Sequence, residues 1–231
     1  MVYTEGNSDH ILKVSNLSVK LEKQIILDNI SFKLQRGKTL SIVGPNGAGK
    51  TMLFRALLNL VPYTGKIEWN GKVKIGYVPQ NFSVSEIPIS VKEFLAFKKS
   101  NNVEYSFDSV ELEEKIQNKK LNALSGGELH KLLVAWALID NPNVLLFDEP
   151  TTFMDMGSVE IIYEMLNKLE KERKITILLI THDAHVVRDY SDYMLALNKK
   201  MIFFGESSKI SDPSLLKEIY GSHTILSRHV H

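Results

Sequence analysis

Apolar positions along the chain fall into short unbroken runs, alternating stretches and helical stripes. Residues 39–43 (Thr-Leu-Ser-Ile-Val) form an apolar run that reads as a buried strand. Residues 52–60 carry Leu53, Phe54, Leu57, Leu58 and Leu60 at helical spacing, and Pro62 stops that helix. Residues 11–21 alternate only in part. Residues 29–35 alternate cleanly, with Ile30, Phe32 and Leu34 on one face, which predicts a half-buried antiparallel strand. Residues 66–69 and 72–78 flank Asn70-Gly71, a type I′ hairpin signal.

The middle of the chain changes character. Ser90 and Glu93 have capping-box spacing before a helix through Phe94, Leu95 and Phe97. Residues 99–105 read as a polar loop and 107–116 as a charged helix that breaks near Asn118. Ser125 and Glu128 repeat the capping-box spacing, so Gly126 and Gly127 sit at a helix start. That helix carries Leu129, Leu132, Leu133, Ala135, Trp136 and Leu138 and ends at Asn141-Pro142. Beyond it come an apolar strand at 144–149, a helix marked by Ile161, Ile162, Met165, Leu166 and Leu169, and a buried strand at 175–180. A helix near 184–190, a hairpin over 193–204 turning at Asn198-Lys199-Lys200, and a last helix from Asp212-Pro213 to Gly221 complete the chain. The pattern predicts one α/β domain. Residues 1–80 form an antiparallel β part and a loop-bearing strand, 81–140 an inserted helical lobe, and 141–231 the rest of a mostly parallel core.

Chemistry enters where strands meet helices. Gly44-Pro45-Asn46-Gly47-Ala48-Gly49-Lys50-Thr51 fits the phosphate-binding P-loop pattern, between the strand at 39–43 and the following helix. Its glycines let the loop curl so that backbone N–H groups face phosphate oxygens, and the helix N-terminus adds a favourable dipole. Lys50 is placed for the β- and γ-phosphates, and the Thr51 hydroxyl for Mg²⁺. The strand at 144–149 ends in Asp148 and Glu149. Ionised acids at the edge of a core need partners, and a P-loop upstream supplies one: Asp148 on the Mg²⁺ side, with Glu149 placed to polarise the attacking water. His182 follows the strand at 175–180, where an α/β sheet places its ligands. Leu124-Ser125-Gly126-Gly127-Glu128 on its own reads equally well as a capped helix with a glycine turn.

Composition narrows the class. The chain has 231 residues, 44% hydrophobic and 24% charged, as in globular domains. A net charge of +1 gives no sign of a nucleic-acid partner. With no cysteine there are no disulfides or thiolate metal sites, which fits a reducing compartment. No apolar run approaches a transmembrane span, and residues 1–10 are too polar for a signal peptide. A soluble cytoplasmic domain is expected.

Taken together, the motifs resemble the nucleotide-binding domain of ABC transporters over nearly the whole chain. GPNGAGKT matches the P-loop, Gln80 the Q-loop, LSGGE the signature, LLFDEP the Walker B strand with its Glu149, Thr152-Phe153-Met154-Asp155 the D-loop and His182 the switch histidine. The resemblance implies a P-loop NTPase core and ATP hydrolysis with Mg²⁺ held by Thr51, Gln80 and Asp148. It also implies a head-to-tail homodimer, with ATP between the P-loop of one chain and Ser125, Gly126, Gly127 and Glu128 of the other, and with Asp155 nearby. Glu149, His182 and Gln80 would act on the water and γ-phosphate, and the helical lobe would grip an integral membrane permease at the cytoplasmic face. Three positions depart from the pattern: Leu21 stands where an aromatic residue usually stacks on adenine, Glu128 where Gln is commoner, and Leu129-His130-Lys131 where a more basic run is usual. The short path from Lys50 to Gln80, LSGGE before an apolar run, and Tyr220-Gly221 followed by histidines look like the zinc and manganese uptake subunits. Those systems have an extracytoplasmic metal-binding protein as an indirect partner. A transporter of another cargo and a soluble non-transport ABC ATPase are the alternatives. His223, His229 and His231 match no closed metal site. His185 reads as a surface or packing residue and His130 as exposed.

Overall fold

A computed structural model of the chain describes residues 2–4, 9–80, 82, 88–98, 103–108, 110, 112–149 and 156–221. Asp155 and the D-loop motif, Pro150, and His223, His229 and His231 lie outside the described residues. In chain order the elements are strands β1 (Val2–Thr4), β2 (His10–Leu21), β3 (Gln24–Gln35) and β4 (Thr39–Val43), helix α1 (Lys50–Leu57), and strands β5 (Thr64–Asn70) and β6 (Ile75–Val78). Helices α2 (Val91–Ala96), α3 (Val103–Asp108) and α4 (Gly126–Leu138) precede strand β7 (Val144–Asp148), helix α5 (Met156–Arg173) and strand β8 (Thr176–Ile180). Helix α6 (Ala184–Tyr190), strands β9 (Tyr193–Asn198) and β10 (Lys200–Glu206) and helix α7 (Pro213–Tyr220) follow. These form two compact units, one of Met1–Gln35, Thr39–Asn70 and Ile180–His231, the other of Arg36–Lys38 and Gly71–Leu179.

The first unit holds a four-stranded sheet in the order β1-β5-β2-β3. β2 pairs antiparallel with β3 and β5, and β1 pairs parallel with β5. The imperfect alternation of β2 has a physical cause. Leu12 and Val14 are buried before Asn16, Leu17 and Val19 after it, and Asn16 sits at φ 50°. This bulge adds one residue and flips the buried face. Asn29 at φ 55° does the same in β3, between buried Leu27 and buried Ile30. Only the segment after Asn29 therefore reads as a strand from sequence, although β3 begins at Gln24. Ser31 Oγ accepts from the Asn16 N–H at 2.8 Å and Ser18 Oγ from the Asn29 N–H at 2.9 Å, so both bulges keep their backbone groups satisfied. Gly65 faces the first bulge, and a Cβ there would lie 2.3 Å from Asn16 O. The same unit carries β4, buried along its whole length, parallel to β9, with β10 antiparallel on β9. Val43, Val187, Met194, Ala196, Ile210 and Ile219 form a core there against α6 and α7.

The second unit pairs β6 with β7 in parallel, from Ile75 opposite Val144 to Val78 opposite Phe147. Gly76 lets α4 lie close, since a Cβ there would meet Ala137 O at 2.8 Å. Both expected capping boxes are formed: Ser90 Oγ accepts from the Glu93 N–H, Ser125 Oγ from the Glu128 N–H, and each glutamate carboxylate returns to its cap N–H. Such a cap contributes about 1 kcal/mol. Phe94 stacks on Trp136 with centroids 4.3 Å apart, tying α2 to α4.

Four expectations are corrected. There is no hairpin at Asn70-Gly71. Gly71 does turn at φ 76°, but β5 is engaged by β1 and β2 while β6 pairs with β7 in the other unit. A turn signal fixes the local bend, not the partner. Residues 107–116 are not one helix: α3 ends at Asp108 and a 3-10 turn runs over Glu114–Asn118. Helix α1 ends at Leu57, with Asn59 at φ 58° and Leu60 exposed. His130 is buried rather than exposed, its Nδ1 3.0 Å from Gly126 O in the turn before it.

Candidate active site

In the first unit, β4 delivers the chain to Gly44 and α1 receives it at Gly49. Gly44 (φ 149°), Gly47 (φ 76°) and Gly49 (φ 98°) all adopt backbone conformations that disfavour a side chain. Gly44 is also sterically closed, because a Cβ would lie 2.1 Å from Leu197 O in β9. At Gly49 a Cβ would lie 2.6 Å from Leu27 Cδ2. Between them Pro45 O accepts from the Ala48 N–H at 3.1 Å, and Asn46 and Gly47 are exposed at the loop's tip. The loop is braced from outside: the Lys199 N–H donates to Ala48 O at 2.9 Å, and Lys199 O accepts from the Asp28 N–H at 2.7 Å.

Lys50 is buried, and its ammonium donates to Gly44 O at 2.8 Å and Pro45 O at 3.2 Å. A phosphate oxygen would add a full charge-assisted bond from the same ammonium, which has three hydrogens to donate. Thr51 follows in the first turn of α1, where helix N–H groups lack acceptors within the helix.

His182 belongs to this unit. The Thr181 N–H donates to Ile42 O at 3.3 Å, which sets the end of β8 beside the strand that feeds the loop. His182 follows it, exposed, and Asp183 caps α6 by accepting from the His185 N–H at 2.8 Å. His185 is exposed and meets Arg188, in keeping with a surface role. Leu21 ends β2 opposite Gln24, on the hairpin whose second strand touches Gly49 through Leu27. Sequence reasoning missed Ile25, which is more exposed than Leu21 (52% against 37%) at the same tip. The two exposed aliphatic residues flanking the turn were the available signal.

In the second unit, Gln80 and Glu149 each stand two residues beyond the paired Val78 and Phe147. Parallel register therefore brings them side by side, and Gln80 Nε2 donates to Glu149 Oε2 at 2.5 Å. Glu149 sits at φ 43°, a conformation that costs a non-glycine residue roughly 1–3 kcal/mol. Asp148 is buried at the end of β7. Its carboxylate and the Thr51 hydroxyl are hard oxygen donors of the kind Mg²⁺ takes. Ser125, Gly126 and Gly127 open α4, while Glu128 turns back to the cap and accepts from Lys119 Nζ at 2.8 Å. That lysine bond, followed by the Ser125 N–H, holds the Glu128 carboxyl below the usual glutamate range. The Lys119 contact was also missed, for it depends on the bend at the preceding 3-10 turns.

Known proteins carry the same pattern. The sequence profile described as ABC transporter matches residues 27–152. Zinc import ATP-binding protein ZnuC from Wigglesworthia glossinidia brevipalpis is 36% identical over 228 residues, covering 96% of this chain and 98% of its own length. Among solved structures, cbiO1 from Clostridium perfringens, part of the ABC transporter complex cbiONQ, is similar with a TM-score of 0.80 and 26% identity, over 91% of this chain and 94% of its own. The ATP-binding cassette MJ0796, in a dimeric post-hydrolysis state bound to ADP and Pi, is similar with a TM-score of 0.73 and 27% identity, over 85% of this chain and 98% of its own.

Proposed function

The chain belongs to the ABC transporter family as an ATP-hydrolysing, ATP-binding subunit, and on that premise we propose that it powers uptake of a divalent metal ion, zinc or manganese. The observation that carries this reading is the end-to-end match to a zinc import ATP-binding protein. Among the described residues no helix is long and apolar enough to cross a membrane, so the cargo path is assigned to an integral permease. The subunit would sit on that permease at the cytoplasmic face, and an extracytoplasmic metal-binding protein would deliver the ion. No nucleic acid takes part.

In the proposed cycle two copies pair head to tail on ATP. Gly44 to Thr51 of one copy cradle the phosphates. The other copy presents the start of α4, where Ser125, Gly126, Gly127 and Glu128 offer donors to the γ-phosphate. Thr51, Asp148 and Gln80 are the residues that would hold Mg²⁺, whose chemistry is to neutralise charge on the β- and γ-phosphates. Glu149 polarises the attacking water and His182 hydrogen-bonds the γ-phosphate. Leu21 gives adenine an apolar contact with no ring to stack on.

The test is uptake in proteoliposomes containing the chain and its permease. ATP-dependent accumulation of ⁶⁵Zn²⁺ or ⁵⁴Mn²⁺ is expected. ATPase activity stimulated by the permease without movement of either ion would leave the enzyme and remove the cargo.

A further inference from the structure

In the second unit a cavity of about 530 Å³ opens where β6, β7 and β8 begin, within the size range of small-molecule sites. Gln80 and Glu149 follow the other ends of β6 and β7. Four paired strand positions, at roughly 3.3 Å each, lie between, so the cavity is not part of the candidate active site. Lys72 and Lys74 line it from the segment before β6, and Arg173 from the end of α5. Pro142 and Ile175 are buried and give it apolar surface. None of the lining residues is acidic. The two lysines do not stand on a loose loop, because Asn143 pins their main chain. Its Oδ1 accepts from the Lys74 N–H at 3.0 Å, its Nδ2 donates to Lys72 O at 2.8 Å, and its N–H donates to Lys74 O at 3.1 Å. Asn143 O accepts from the Thr176 N–H at 3.0 Å, which ties the start of β8 to the same edge. The Arg36 guanidinium adds a cation beside Gly71, 3.7 Å from where a Cβ would stand.

We propose that this cavity binds a small phosphate-bearing anion. Helix C-termini favour basic side chains, which explains Arg173 at the end of α5 and Lys74 on the Asp140 carbonyl beyond α4, at 3.2 Å. It gives no reason for Lys72 to join them around an opening without a carboxylate. A phosphate group does, since it brings about two negative charges near pH 7 and three acceptor oxygens. The Lys74 ammonium has further hydrogens to donate beyond the one on Asp140 O. The planar fork of Arg173 suits a phosphate, and the apolar surface of Pro142 and Ile175 suits the carbon body that carries it. An edge already pinned by Asn143 loses little freedom on binding. The phosphate is either that of a free small molecule or that of a lipid headgroup.

The experiment is a calorimetric titration of the full-length chain with inorganic pyrophosphate in excess ADP, which occupies the phosphate loop first. Flotation with phosphatidylglycerol vesicles runs beside it, and thermal unfolding checks that each variant is folded. The variants are Lys72→Gln with Lys74→Gln, Arg173→Lys, and Lys171→Gln as the control. Lys171 is exposed near the end of the same helix and does not line the cavity. The double variant is expected to weaken binding by roughly tenfold, about 1.4 kcal/mol. Arg173→Lys keeps the charge and should weaken it less, through loss of the fork. Lys171→Gln should change it by less than about twofold at physiological salt, where a charge outside the cavity is screened. Pyrophosphate binding with that pattern assigns the site to a free phosphate compound. Vesicle capture with the same pattern, and no pyrophosphate binding, assigns it to a lipid headgroup. Equal losses in Lys171→Gln and the double variant overturn the proposal, because a diffuse basic face would then be responsible. Absence of both kinds of binding in the wild type overturns it as well.

Discussion

Gln80 donates its side-chain amide to the carboxylate of Glu149 at 2.5 Å, and the parallel register of the two strands behind them sets that pairing. One oxygen of the candidate base is thus held by an amide donor. Each carboxylate oxygen accepts more than one hydrogen bond, so Glu149 can take one from water while Gln80 fixes its orientation. The strained backbone at Glu149 adds to the picture of a carboxylate aimed by the main chain.

Glu149→Gln keeps the shape and loses the basic oxygen. Nucleotide binding is expected to survive, turnover to fall by roughly 10²–10⁴-fold as for loss of a general base, and an ATP-bound dimer to accumulate. Gel filtration with ATP and ATPase assays in the presence of the permease check both halves. Near-normal turnover would falsify the assignment.

His182→Ala removes an exposed imidazole. Nucleotide affinity should stay within a few-fold while hydrolysis collapses. Equilibrium binding and single-turnover hydrolysis separate the two. If affinity drops and the bound fraction still turns over normally, His182 is structural.

In the proposed cycle Leu21, with exposed Ile25 across the same turn, would give adenine aliphatic contact without a ring face, worth about 0.5–1.5 kcal/mol less than an aromatic contact. Phosphate contacts should then carry the affinity. ATP and GTP are expected to bind within roughly tenfold of each other, about 1.4 kcal/mol, and Leu21→Tyr to tighten ATP modestly with unchanged turnover at saturation. A hundredfold ATP preference in the wild type would mean that another residue reads the base.

Glu128→Gln retains an acceptor for the helix cap and removes the ion pair with Lys119. The folded-state pKa of Glu128 is depressed, so its contribution is present above the ordinary glutamate pKa and lost as pH falls through the lower folded value. Both side chains are partly exposed, 41% for Lys119 and 29% for Glu128, so the contribution is roughly 0.2–1 kcal/mol. Thermal unfolding of the two proteins should differ slightly at neutral pH and converge in acid. An offset that does not change with pH would place its origin in packing.

What could be read from sequence was what is local. The capping boxes at Ser90 and Ser125 and the strand-loop-helix around Lys50 depend on neighbours a few residues away, and they form as expected. What failed depended on partners. The Asn70-Gly71 turn is present, but the strands on either side of it join different sheets. His130 sits in a helix whose buried surface extends nearly all round, so its polarity was a poor guide to its exposure. The pairing of Gln80 with Glu149 is set by strand register, which no short motif encodes.

The tip of the β9–β10 hairpin meets the phosphate loop through main-chain atoms: Leu197 O against Gly44, the Lys199 N–H on Ala48 O, and Lys199 O on Asp28. A joint made of backbone can accept almost any side chain that lets the chain follow the same path. Its sequence is free to drift while its shape is not, so a part that bears directly on the loop can pass through evolution without leaving a motif.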